Sequence, residues 1–216
     1  MSNTYYTIKK FNEIREDLSD YLFHFTKGKD AFYNLEKIIS DGAIKDINNN
    51  GYICFTEAPL NMLKSYFEYI RKTYSVATIL APYGVGLKKE QMFQLGARPV
   101  IYGKPEEINE LPEALRWRFV GINLPYSDWL WQREWRINQN EVLLSDDMIL
   151  VTQDQDEQLL FWDIIIDNPY NEEIDESMID FKMRYKGISI KELDLYHTKQ
   201  ELKDFFNNQE EEIRET

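Results

Sequence analysis

With two histidines and one cysteine in 216 residues, the chain has few metal ligands and few soft nucleophiles. Its chemistry must rest mainly on carboxylates, amides and hydroxyls. His24 stands between Phe23 and Phe25, and Thr26 follows two residues on. In a strand that spacing puts imidazole and hydroxyl on one face. Two readings fit His24: a core histidine with one nitrogen satisfied, or a ligand contact in which a neutral imidazole hydrogen-bonds a sugar hydroxyl. A second polar group stands late in the chain. If residues 129–137 form one strand, Trp129, Trp131 and Trp135 share a side with Arg133 and Ile137, while Gln132, Glu134 and Arg136 share the other. That second side is either a solvated face with a Glu–Arg pair or a carboxylate held rigidly at a cleft and backed by aromatics.

A third block spans residues 83–102. Gly84-x-Gly86 lacks the third glycine and the following acid of a dinucleotide fingerprint, so it marks a close backbone approach instead. Lys88, Lys89 and Arg98 are either a phosphate-facing group or ordinary surface charges. Cys54, beside Phe55, reads as an inert core thiol. With two distant histidines and one cysteine, a zinc site is not expected. Neither a Gly-x-Ser-x-Gly elbow nor a Walker loop occurs, which argues against those hydrolase and nucleotide-hydrolysing classes.

These residues need elements to hold them. Apolar spacing predicts helices over 9–20, 29–40 and from Pro59 onward, and a short one over 88–95 stopped by Gly96. Gly42 marks the end of the second. Short aromatic or apolar runs predict strands over 21–26, 52–56, 83–87, 99–102, 129–137 and 148–152. Residues 105–119 read as helical with a break at Pro112, and 157–166 as helix or strand. Thr198-x-x-Glu201 is a capping box that opens a last helix over 198–206. The expectation is one α+β domain over 1–206 and a disordered acidic tail over 207–216.

The order of the motifs carries a resemblance. A strand bearing His24-x-Thr26 leads to Leu35-x-x-Ile38-Ile39-x-x-Gly42, then to a strand ending Phe55-Thr56, with Pro59 soon after. This resembles the opening of DarT-like ADP-ribosyltransferases and of abortive-infection (phage resistance) proteins of the AbiGi type. Tyr83-Gly84-x-Gly86-x-Lys88-Lys89, with Gly96-x-x-Pro99-Val100-Ile101-Tyr102, resembles the AbiGi-type middle. Glu134-Trp135-Arg136 resembles the late "EWR" of such sequences. Residues 21–137 are covered.

The resemblance implies an ADP-ribosyltransferase-like split β-sandwich with flanking helices and NAD as substrate. It implies that His24 contacts the NAD ribose, Thr56 lines the nicotinamide pocket and Glu134 positions the ribose hydroxyl. Gln132 would face the acceptor, a nucleic acid or a protein, and Thr26 and Tyr52 would be further lining. Tyr52, Phe55 or Tyr66 would stack the nicotinamide ring. One departure stands out. DarT-type enzymes carry a catalytic arginine shortly after the second strand, where this chain reads Glu57-Ala58-Pro59-Leu60. Either Arg71 or Arg98 substitutes, or the chain is an inactive binding module, an antitoxin or defence-complex subunit with a cognate partner.

Composition limits the partners. There are 25 Lys+Arg against 38 Asp+Glu, a net charge of −13, which repels phosphate backbones and anionic lipid at long range. Hydrophobic residues make up 43%, enough for a core. The first ten residues lack the apolar stretch of a secretion leader, and no run is long enough to predict a membrane span. One cysteine fits a reducing, cytoplasmic setting.

Overall fold

The computed structural model describes residues 3–73, 80–166 and 179–215. In chain order its elements are α1 (Asn3–Glu13), β1 (Tyr21–Lys27), α2 (Ala31–Asp41), β2 (Ala43–Lys45), β3 (Ile53–Thr56), α3 (Leu60–Thr73), β4 (Leu80–Lys88), α4 (Lys89–Leu95), β5 (Arg98–Pro99), β6 (Ile101–Gly103), β7 (Phe119–Gly121), β8 (Glu134–Ile137), β9 (Glu141–Leu143), β10 (Ile149–Thr152), α5 (Gln155–Leu159), β11 (Asp163–Ile166), β12 (Ile179–Lys182), β13 (Lys186–Ser189) and α6 (Lys199–Glu215). Short 3-10 turns fill Pro105–Glu110, Glu113–Arg118, Leu130–Gln132 and Ile190–Leu195.

The fold is α+β: a seven-stranded sheet in the order β13-β10-β4-β1-β3-β8-β5, flanked by helices. Its ladders are antiparallel except β10–β13. Alternation along the strands sorts apolar side chains to two faces. One face packs Leu22, Phe55, Val85 and Leu150 against Leu35 of α2. The other packs Phe23, Phe25, Ile149 and Ile188 against Leu63 and Phe67 of α3 and Phe206 of α6. Each such side chain contributes on the order of 1.5–3 kcal/mol by leaving water.

Gly84 and Gly86 lie under the aromatics of β1. A Cβ on Gly86 would stand 2.5 Å from the Phe23 ring, and one on Gly84 2.8 Å from the Phe25 ring. The close approach read from the sequence is therefore β1 itself. At Gly42 the backbone turns left-handed (φ 64°) and its N–H bonds the last carbonyls of α2, the glycine stop the sequence predicts. Thr198 and Glu201 form the expected capping box, with N–H to oxygen distances of 3.2 and 2.9 Å.

Four expectations are corrected. The first helix runs Asn3–Glu13, not 9–20, because Arg15 bonds Asp17 and closes a turn there. Residues 99–102 divide between β5 and β6 at Val100, whose N–H bonds the Glu134 carbonyl. Residues 129–137 are not one strand: a 3-10 turn ends at Arg133, held left-handed (φ 45°), and β8 begins only at Glu134. The acidic end is not a free tail. Residues 207–215 continue α6, and the Gln209 amide bonds both the N–H and the C=O of Gly187 on β13, each at 2.9 Å. Lys186, almost fully buried, pairs with Glu210 at 3.1 Å beside it.

No helix among the described residues is long and apolar enough to cross a membrane.

Candidate functional site

Glu134 opens β8, and three contacts fix how it does so. Its backbone N–H donates to the Tyr102 hydroxyl at 3.1 Å, and that hydroxyl lies 3.4 Å from the Trp129 carbonyl. The left-handed Arg133 then turns the chain into the sheet. Arg133 is tethered from outside by Asp17 at 3.0 Å. In the β3–β8 ladder Glu134 stands opposite Thr56, and Arg136 opposite Cys54. Cross-strand partners share a face, so Thr56, Cys54, Glu134 and Arg136 line one side of the sheet.

On that side the Glu134 and Arg136 side chains are only 12% and 11% exposed. Arg136 Nε donates to Glu134 Oε1 at 2.7 Å. Its Nη1 donates to the carbonyls of Trp117 and Phe119 at 2.8 and 3.0 Å. Its guanidinium lies 4.3 Å from the centre of the Tyr52 ring. Burial opposes the arginine's charge, but the Glu134 charge and hydrogen bond outweigh it, so the guanidinium is held even more firmly protonated than usual. Cys54 is an exposed residue, against the expectation of a core thiol, although neighbouring atoms crowd its sulfur. Packing around its sulfur first, and then the Glu134 charge, push its pKa up to about 12. It therefore stays a thiol at neutral pH and is no nucleophile.

His24 lies elsewhere. In the β1–β3 ladder Phe23 is the residue opposite Thr56. His24, one position on, is turned to the reverse side. Its ring meets Phe55 edge-on at 5.7 Å, and Phe55 is core on that side. His24 Nδ1 lies 2.9 Å from the Cys54 carbonyl, which can only accept, so Nδ1 carries the proton. Burial lowers the imidazole pKa, and the ring is neutral at pH 7. His24 is half-buried with one ring nitrogen satisfied, and it faces away from Glu134. Thr26 shares the face of His24 as its spacing predicts, but it is buried and its hydroxyl is spent on the carbonyls of Ala31 and Tyr83.

The predicted residues thus divide. Tyr52, Thr56 and Glu134 come together on one side. His24, Thr26 and Phe55 face the other. Gln132, being in the turn, is not in strand alternation with Glu134; its carbonyl accepts a hydrogen bond from the Thr56 hydroxyl. Arg98 stands opposite Arg136 in the ladder but turns away, 4.1 Å over the Phe93 ring and bonded to the Phe93 and Ala97 carbonyls. Arg71 is in α3, and its side chain lies outside the described residues. Lys88 is paired with Asp147 at 2.6 Å and Lys89 with Glu57 at 2.8 Å, so the three cations of this block are dispersed among local partners.

Sequence reasoning gave neither Arg136 nor Tyr102 a place in the site. The Glu-x-Arg spacing on a strand was the available signal for the first. For Tyr102 there was none, since its contact depends on how residues 99–103 fold against β8. A cavity of about 540 Å³ lies beside Lys88 and Lys89, between Tyr21 and Phe23 of β1, Leu60 of α3 and Phe206 of α6; Tyr52, Thr56, Glu134 and Arg136 are not among the residues that line it.

Compared with known proteins, the chain matches no family model, no curated protein and no solved structure.

Proposed function

We propose that the chain is an NAD-dependent ADP-ribosyltransferase, of toxin or anti-phage defence type, with Glu134 at its reacting centre. One observation carries the reading. The three strands that the motif order marks, β1, β3 and β8, are consecutive neighbours in one sheet, and Thr56 and Glu134 are opposite each other in it.

In the reaction the bond between the NAD ribose and nicotinamide breaks, and its electron pair leaves with nicotinamide. Positive charge develops on the ribose, and an acceptor nucleophile on a protein or nucleic acid completes the transfer. A carboxylate held beside the ribose favours the transition state, in which positive charge has moved from the nicotinamide ring onto the ribose, over the ground state, in which the ribose itself is uncharged. Glu134 is the group for this role, and Tyr52 borders it. His24 has no part in it from the reverse face, and neither Thr26 nor Phe55 reaches the same side. A protein acceptor fits better than a nucleic acid. The net charge is −13, and Lys88, Lys89 and Arg98 do not form a basic groove beside Glu134.

A second reading is a catalytically inactive module that docks a partner, as an antitoxin or a defence-complex subunit. The Glu134–Arg136 pair favours it, because the one carboxylate at the site is already neutralised. Calorimetric titration with NAD and an assay for nicotinamide release decide between the two. Under the enzyme reading NAD binds, and Glu134→Ala lowers release on the order of 10²–10³-fold. Folded wild-type protein that neither binds nor turns over NAD overturns it and leaves the module.

A further inference from the structure

We propose that Arg136 is a positioning residue, whose task is to hold the Glu134 carboxylate in one orientation for the reaction; the inference rests on the enzyme reading above.

The guanidinium is held at Nε, at Nη1 and over one aromatic ring. One nitrogen, Nη1, is clamped between the Trp117 and Phe119 carbonyls, and the plane lies over Tyr52. That leaves Nε to meet Glu134 Oε1 at 2.7 Å from a fixed direction. A long cation tied down on three sides has little freedom left, so it can restrain the shorter acid two residues before it. Backbone carbonyls supply the clamp, and they belong to Trp117 within the Glu113–Arg118 turn and to Phe119 at the start of β7, not to β8. Glu134 is therefore oriented from outside its own strand.

The role is orientation and not charge. A guanidinium beside a developing ribose cation opposes it, so Arg136 stabilises the transition state only through Glu134. Lysine tests this well. It keeps the charge but, as a point donor on a flexible stem, cannot make the forked set of bonds.

The experiment compares nicotinamide release from NAD by wild type, Arg136→Lys, Glu134→Gln and the double variant. If Arg136 acts through Glu134, Arg136→Lys lowers kcat about tenfold to a hundredfold with KM little changed, and adds nothing in the Glu134→Gln background. Tyr52→Leu, which removes the stacked ring and leaves every hydrogen bond of Arg136 in place, repeats the kcat loss at smaller size and covers the case in which the lysine variant folds poorly. An active wild type with unaffected kcat in both variants overturns the proposal and leaves the enzyme reading standing. So does a pair of losses that multiply in the double variant. A wild type with no turnover overturns both.

Discussion

The seven-stranded sheet is built differently at its two ends. Toward β13, the strands β1, β4 and β10 carry apolar side chains on both faces, with α2 on one side and α3 and α6 on the other. Rings of Phe23 and Phe25 sit directly on glycine backbone. Toward β5, only one face of β3 and β8 is core, built on Phe55 and Ile137 with Trp135 against it. The opposite face holds Tyr52, Cys54, Glu134 and Arg136, an ion pair and a free cysteine among them. Burying a charge pair gains little stability and often costs some. The contrast teaches that the polar end is not what keeps the sheet together. It is carried by the apolar end.

Substitution at Gly84 should break the apolar end most severely. Its Cβ would have to displace the Phe25 ring and the backbone of β1. Gly84→Ala is expected to cost about 1–3 kcal/mol or more in urea unfolding. A variant as stable as wild type would mean that this end is less tightly packed than the contrast requires.

Acid sharpens the comparison through the ion pairs that seal the same end. Lys88 holds the Asp147 carboxyl below its ordinary range despite partial burial, and Lys186 does the same for Glu210. A depressed carboxylate contributes stability above its unfolded pKa and loses it as pH falls through the folded value. Urea midpoints should therefore drop below about pH 4, near the unfolded carboxylate range. The drop should shrink in Glu210→Gln. These pairs are partly exposed, and high salt should weaken them further.

His24 gives the smallest effect and the sharpest division between the two faces. Its pKa is lowered by burial, so the folded state resists protonation and stability declines as pH falls below about 6.5. His24→Gln should flatten that decline in thermal melts while leaving nicotinamide release within about twofold of wild type, the scale of a change remote from the reacting atoms. A large loss of turnover would place His24 in the site after all.

Much of the scaffold was legible in local sequence. The aromatic run of β1, the glycine stop of α2, the proline before α3 and the Thr198–Glu201 cap each announce themselves within a few residues. The site was less so. Parity correctly paired His24 with Thr26, but which side of the sheet meets Glu134 depends on the β1–β3–β8 register, a relation between residues more than a hundred positions apart. Gln132 and Glu134 looked like strand neighbours because nothing in Trp-Gln-Arg-Glu signals a turn; a non-glycine residue adopts the left-handed conformation there. The end of α6 was misread for a similar reason. Its composition is that of a solvated tail, and the docking of Gln209 is visible only once β13 is in place.

That docking has a bearing on how the molecule meets its own copies. A border strand in a sheet offers a free row of donors and acceptors on which another polypeptide can crystallise. At Gly187 a single carboxamide fills both vacancies, acting as a strand one residue long. Clipping the last two helical turns would take away that stopper, and β13 would then be the place from which the sheet could lengthen from one molecule into the next.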